Sequence, residues 1–461
     1  VKPYGFSVAE SGLFFQGDMP SYGNYDVVVC GGGTAGIAAA IAAAENDART
    51  LLIEKDGFLG GTANIGVYLF GLFDSLGARI AGGIPRRICH EMVELGGAVA
   101  DVPHFRFGHF TAFEPWAMKL AADRMVAQSG ADLLLHTYLI DIERDGSRIQ
   151  RAVIQNKQGR FAVEGKSFVD ATGDGDVLVF ARGPFEVGRK SDGMTQAPTL
   201  IFRLSGFNKG LFLEYLRRHP GEVRRHPIEV LDQEIFAFCG LNDFVQRMNR
   251  EESLGLPREF ICFHTQPDPT DVMVVATRVS SFNGLHARSL TYGEIETRRQ
   301  AAELAGLLKR YVPGFGDVRL ITFHHRMGIR ETRRLVGEYI LTEDDLMCAR
   351  QFPDGIAKGG FPIDIHSPDG KGNVFEPLKK GYQIPYRSLV TRQIDNLWIA
   401  GRCISTSHVA QGSTRVIATC MATGQAAGTA AAIGARKGLS SCEIGVGELR
   451  DVLNHQGAIV D

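Results

Sequence analysis

The sequence predicts an α/β protein: a Rossmann-type parallel sheet with an α+β unit inserted into it. Three observations carry this. A strand–glycine turn–helix–strand unit runs from Tyr25 to Ile53. A late apolar strand, Asn396–Ala400, runs into Gly401 and is followed by a long helix of small residues, about Thr414–Arg436. Between them, residues 191–320 lose these signatures and mix strand-like runs with a charged helix. Elements of one parallel sheet that return at both ends of a chain imply a discontinuous domain rather than units strung in a row.

Taken in order, Tyr25–Cys30 (YDVVVC) is a short β-rich run that breaks at Gly31-Gly32-Gly33. An alanine-rich helix, Ala35–Glu45, and a strand, Thr50–Ile53, complete a βαβ unit. Pro85–Leu95 and Pro115–Gln128 read as helices, each opened by proline and ended by glycine. Leu133–Asn156 and Phe161–Asp170 read as strands, with a turn at Asp145-Gly146. In the middle, Thr199–Leu204 and Asp271–Val279 read as strands and Tyr292–Tyr311 as a helix. The implied division gives residues 24–75, 115–190 and 321–461 to the parallel-sheet domain, 76–114 to a cap on the substrate side, and 191–320 to a substrate domain.

Gly31-Gly32-Gly33-Thr34-Ala35-Gly36 fits G-x-G-x-x-G. Gly31 permits the tight turn, Gly33 lets backbone approach a pyrophosphate, and Gly36 lets helix and strand pack closely. The helix N-terminus then offers unpaired N–H groups to the phosphates. With 55 glycines in the chain the motif alone is weak. Its setting, after a strand, before a helix and followed by Glu54, is what makes it specific. An acid at that point accepts both hydroxyls of a ribose and disfavours a 2′-phosphate. Gly60-Gly61 give a second backbone approach beside the phosphates, and Gly173-Asp174 end a strand in small residues that let the chain pass near a ligand.

These segments, with Leu397–Arg402, resemble the FAD oxidoreductases of the glutathione-reductase fold. Within that group the chain is similar to flavoproteins related to fumarate reductase and succinate dehydrogenase. The closer match rests on Met327–Arg334 (MGIRETRR), the run from Ile384 to Ser405, and Gly412–Gly428. The resemblance implies a glutathione-reductase-like FAD-binding domain with an inserted α+β substrate domain. It implies that Gly31, Gly33 and Gly36 hold the pyrophosphate and Glu54 the adenosine ribose. Leu139 would meet the adenine through its backbone, and Gly401-Arg402 would flank the ribityl chain. Arg402 departs from the Asp that much of the fold family carries there, which leaves the ribityl contact unassigned.

At the reactive end, Gly412-Ser413-Thr414 reads as the first turn of the last helix, with Ser413 or Thr414 as its cap. Aimed at the flavin, that N-terminus would stabilise charge on the reduced ring by roughly 1–2 kcal/mol. Gly412–Arg415 resembles the G-A-N-R segment of fumarate reductases, whose Arg binds a substrate carboxylate, so Arg415 reads as a carboxylate fork or as a partner of FAD or a nearby acid. His408 reads as a substrate ligand or proton donor, or as a hydrogen-bonded loop histidine. Alternation places His325 with Met327 on one face and His324 with Arg326 on the other, so one histidine faces the flavin. Arg330, Arg333 and Arg334 read either as an anion site or as a salt-bridge network with Glu331 and Glu338. His324-His325 lack the spacing of a metal site, and none is expected. His104, Arg106 and His109 fall in a loop that would cap the ring.

The net charge of −2 argues against nucleic acid or an anionic membrane surface as a partner. No apolar run spans a bilayer. Eight cysteines, scattered and without C-x-x-C, read as buried free thiols, and hence a cytoplasmic protein. A second G-x-G-x-x-G between strand and helix is missing, so electrons would pass to oxygen, a quinone or another protein. The leading expectation is an FAD-dependent dehydrogenase or oxidase moving a hydride between flavin N5 and a small polar substrate such as a carboxylate, in a monomer or homo-oligomer. The alternatives are a non-redox biosynthetic enzyme of thiazole-synthase type holding NAD or FAD, and a non-catalytic flavin-binding protein.

Overall fold

The computed structural model describes residues 19–104, 107–224, 228–252, 255–369 and 372–461. Its main sheet has seven strands. In its parallel part, β1 (Ser21–Cys30) lies between β2 (Thr50–Ile53) and β8 (Gly159–Asp170), and β5 (Asp132–Leu134) pairs the far side of β2. Along its other edge β8 takes two partners. Its first half pairs antiparallel with β7 (Arg148–Asn156), and β6 (Tyr138–Asp145) extends that meander. Its last residues pair parallel with β20 (Leu397–Ile399). The strands β1, β2, β8 and β20 therefore end at one edge, at Gly31, Glu54, Ala171 and Ala400.

Val27, Val28 and Val29 are wholly buried, as a strand covered on both faces requires. The helices Thr34–Glu45 and Ile417–Lys437 pack closely because glycine permits it. A Cβ on Gly424 or Gly428 would stand 2.1 Å from the carbonyl oxygen of Ala35 or Ala39.

A second, antiparallel sheet has the order β11 (Ala237–Gly240), β12 (Ile261–Thr265), β13 (Asp271–Val275), β10 (Phe202–Ser205), β14 (Arg319–Phe323). It has its own core, rich in phenylalanine: Phe202, Phe212, Phe238, Phe263 and Phe315 are buried together. Among the described residues there are also four two-stranded pairs: β3 (Ala98–His104) with β4 (Gly108–Phe113), β9 (Phe185–Val187) with β15 (Arg333–Leu335), β16 (Gly355–Gly359) with β19 (Tyr382–Pro385), and β17 (Ile363–His366) with β18 (Asn373–Glu376).

Several expectations shift. The charged helix starts earlier, at Ala287, and the run Leu133–Asn156 divides into three strands with its hairpin turn beyond Asp145. His104 and His109 lie in the β3–β4 hairpin rather than a loop, while Arg106 lies outside the described residues.

The free-thiol reading also needs correction. Cys239 and Cys262 form a disulfide, and Cys348 and Cys442 are exposed, leaving Cys30, Cys89, Cys403 and Cys420 as buried thiols. Strand register, invisible in the spacing, brings Cys239 opposite Cys262. The compartment inferred from free thiols loses that support. Among the described residues, no single helix is long and apolar enough to cross a membrane.

Candidate functional site

A cavity of about 540 Å³ opens at the edge where β1, β2, β8 and β20 end, and it continues to the second sheet. At its β1 end, Gly31 takes φ +101°, and a Cβ there would lie 2.5 Å from the Ala171 carbonyl oxygen. A Cβ on Gly36 would lie 1.7 Å from the Gly31 oxygen, whereas one on Gly33 would meet nothing within 4 Å. Gly31 and Gly36 are thus closed by the fold itself, and Gly33 faces open space. The helix that begins at Thr34 has no side-chain cap, so its first N–H groups are left to a ligand.

Glu54 lines the cavity and also pins the turn. Its Oε2 accepts from the Gly32 N–H at 2.6 Å and its Oε1 from the Asp56 N–H at 2.8 Å. Gly61, Leu139, Gly173, Asp174, Gly401 and Arg402 line the wall as well. Gly36 and Gly60 do not, and serve instead as packing points beneath it. Gly60 donates its N–H to the Gly32 oxygen at 2.9 Å. Arg402 is held by Asp174 and by the Ile329 carbonyl, to which Nη1 donates at 2.7 Å.

The last helix differs from expectation. A short helix, His408–Thr414, ends at Arg415, and the chain then bends by 94° into the helix Ile417–Lys437. The N-terminus that faces the cavity therefore starts at Val416-Ile417 and again has no side-chain cap. Ser413 and Thr414 sit on the preceding helix, buried away from the cavity. Ser413 exchanges a hydrogen bond with the Tyr382 hydroxyl at 2.8 Å and donates to the Phe361 carbonyl.

Two of the four residues proposed as catalytic line the cavity: Arg330 and Arg415. His408 does not. Its Nδ1 lies 2.9 Å from the wholly buried Glu331, which also pairs with Arg334, so the histidine is taken up as a hydrogen-bond partner of a buried acid. His325 packs edge-on against Phe58, and burial, then Arg326, pushes its pKa down to about 4. It stands outside the cavity because the strand stops at Phe323, so the expected alternation never reaches it.

Arg330 Nη1 donates to the Ala197 carbonyl at 2.6 Å and to Thr199 Oγ1 at 3.0 Å. Arg415 Nη2 donates to the Asp364 carbonyl at 3.0 Å, while its buried Nε has no hydrogen-bond partner among the described residues. Arg258, from the middle of the chain, joins them on the wall beside Asp364, His366 and Asn373. Arg278 stands behind and donates to His366 Nδ1 at 3.1 Å. That fixes the proton on Nε2, which donates to Asp364 Oδ2 at 3.0 Å.

Burial, then repulsion from Arg278, pushes Arg258 down to about 9. Burial, then Arg415, pushes Arg330 the same way. Burial would raise the Asp364 carboxyl, but His366, Arg415 and Arg330 outweigh it and hold it below the carboxylate range. His366, buried and beside Arg330, is held well below its ordinary value and stays neutral. This end of the cavity carries an excess of buried positive charge, which an entering anion relieves.

The sequence from Asp26 to Leu453 matches the family model described as FAD dependent oxidoreductase, residues 26–453. The chain belongs to the FAD-dependent oxidoreductase family. Its fold is also similar to that of a solved flavoenzyme. The flavin-dependent brominase Bmp2 is similar at 14% identity and TM-score 0.50, over 93% of this chain and 83% of that one. A geranylgeranyl bacteriochlorophyll reductase-like protein from Thermoplasma acidophilum is similar at 14% identity and TM-score 0.45, over 94% and 84%. No curated protein matches the chain.

The chain is thus an FAD-dependent enzyme, and its residues fit the cofactor. The space beside Gly33 and the two uncapped helix N-termini suit an anionic dinucleotide. An aromatic wall closes the other side, and of its rings the sequence named His104 as a cap candidate but not Phe107 or Phe361: Phe107 stacks on Phe361 at 5.0 Å and on His104 at 4.3 Å. Arg258, His366, Phe107 and Phe361 come from segments without a local motif.

Proposed function

We propose that this FAD-dependent oxidoreductase is a dehydrogenase or oxidase of a small polar substrate bearing a carboxylate. The observation that carries the proposal is the buried guanidinium cluster of Arg258, Arg330 and Arg415 at the end of the cavity. Gly31, Gly33 and the helix from Thr34 would hold the pyrophosphate, with Gly36 packing beneath them, Glu54 the ribose, the Leu139 backbone the adenine, and Gly401 the ribityl chain. Bound FAD supplies the hydride-exchanging centre at N5. Arg415, with one Nε–H unspent, binds the substrate carboxylate, and Arg330 and Arg258 add charge. Asp364 and His366 position Arg415 and Arg278 rather than titrate near neutral pH. The phenylalanine wall excludes water from the reacting atoms. Kinship with the fumarate reductase and succinate dehydrogenase flavoproteins, drawn from Met327–Arg334 and Gly412–Gly428, is part of the same proposal.

The test is an anaerobic screen of carboxylates, amines and alcohols for bleaching of the bound flavin. A carboxylate is expected to bleach it. Arg415→Ala should keep the flavin spectrum and weaken carboxylate binding by about 10- to 100-fold, the worth of a hydrogen bond to a charged group. Loss of FAD from that variant would move Arg415 to the cofactor. Bleaching by neutral compounds alone would refute the anionic substrate.

A further inference from the structure

Cys239 and Cys262 stand directly opposite each other on β11 and β12 and are joined by a disulfide. Their neighbours Phe238 and Phe263 are buried in the phenylalanine core. Period-two alternation therefore sends both sulfurs to the other face of the sheet. That face looks into the cavity: both cysteines are half-buried and line it, together with Gly33, Gly61 and Ile417. The surroundings are cationic. Arg224 donates its backbone N–H to the Cys239 carbonyl at 3.0 Å. Its guanidinium and that of Arg258 both pack on the Phe260 ring, at 4.2 Å and 5.2 Å from the centroid, and both line the cavity. Half-buried sulfur in a cavity that guanidinium groups also line is the setting that favours thiolate and thiol–disulfide chemistry, whereas a cysteine sunk in apolar surroundings is inert.

We propose that the Cys239–Cys262 pair is redox-active and exchanges an electron pair with the flavin of the same cavity. The inference rests on the cofactor placement proposed above. The disulfide takes two electrons and two protons from the two-electron-reduced cofactor; the S–S bond breaks, two S–H bonds form, and the cofactor is left oxidised. The enzyme then stores a second electron pair on the substrate-domain sheet, and the reverse step returns it.

The experiment is an anaerobic photoreduction of the holoenzyme, followed by flavin absorbance and by alkylation with peptide mass mapping. Complete bleaching is expected to consume about four electrons per flavin rather than about two, since the disulfide is itself a two-electron couple. Cys239 and Cys262 should be alkylated only in the reduced sample. The double variant Cys239→Ser/Cys262→Ser should bleach after about two electrons with an unchanged oxidised spectrum. Should that variant not fold, alkylation of the unaltered enzyme decides alone. A fully bleached flavin with the disulfide still closed to alkylation would overturn the relay and leave a structural cross-link. A protein without flavin absorbance before reduction would overturn the cofactor placement first, and the relay with it.

Discussion

Gly33 and Gly36 share one turn, yet a side chain at each meets a different fate. Beyond Gly33 lies open cavity, so Gly33→Val should fold normally and lose FAD by filling the space a pyrophosphate needs. A Cβ at Gly36 collides with the Gly31 carbonyl, so Gly36→Val should fail to fold at all. Soluble yield, thermal melting and flavin content separate the two outcomes. Full flavin occupancy in folded Gly33→Val would sink the assignment of the turn to phosphate. The glycine pattern was legible in the sequence because backbone sterics act locally. His408 was not, because its partner Glu331 is distant in the chain, and a buried carboxylate draws in whichever hydrogen-bond partners the fold supplies. Arg415 could be read from its motif, but its unspent Nε is a property of packing.

The helix Ile417–Lys437 joins sequence to site most directly. Its glycines are spaced for a close helix contact, and Gly428→Ala should force its Cβ onto the Ala39 carbonyl at 2.1 Å. Overpacking of that kind costs about 1–3 kcal/mol, read as a lowered melting temperature at unchanged flavin spectrum. An unchanged melting temperature would show that the two helices can separate freely. The start of this helix was misplaced by the sequence because Arg415-Val416 contains neither proline nor glycine. The bend arises where Val416 turns extended as the N-cap, and small residues on both sides hide it. Strands β1, β2, β8 and β20 were predicted from apolar runs with glycine punctuation, a signal that survives without partners. The facing of β11 and β12 toward the cavity is set by tertiary register and left no local mark.

Across the whole molecule, several histidines are kept neutral by burial. His264 donates Nε2–H to the Gly66 carbonyl at 2.7 Å, and burial pushes it down to about 4. His324, beside Met273, is pushed to about 4 for the same reason, and His366 well below its ordinary value. In the unfolded chain each titrates near 6.5, so between about 6.5 and 4 the unfolded state binds more protons. Stability from these groups is complete above that window and is lost as pH falls through it. Asp170, which burial pushes up to about 6, works in the opposite sense, because the folded state takes its proton first. The comparison of one histidine variant with the parent removes that background. His264→Gln keeps a donor for Gly66 and has no proton to gain, so its melting temperature should fall less steeply than that of the parent between pH 6.5 and pH 4. Parallel slopes would mean that His264 takes up its proton in the folded protein as readily as in the unfolded chain, and that it is better solvated than its packing against Tyr68 implies.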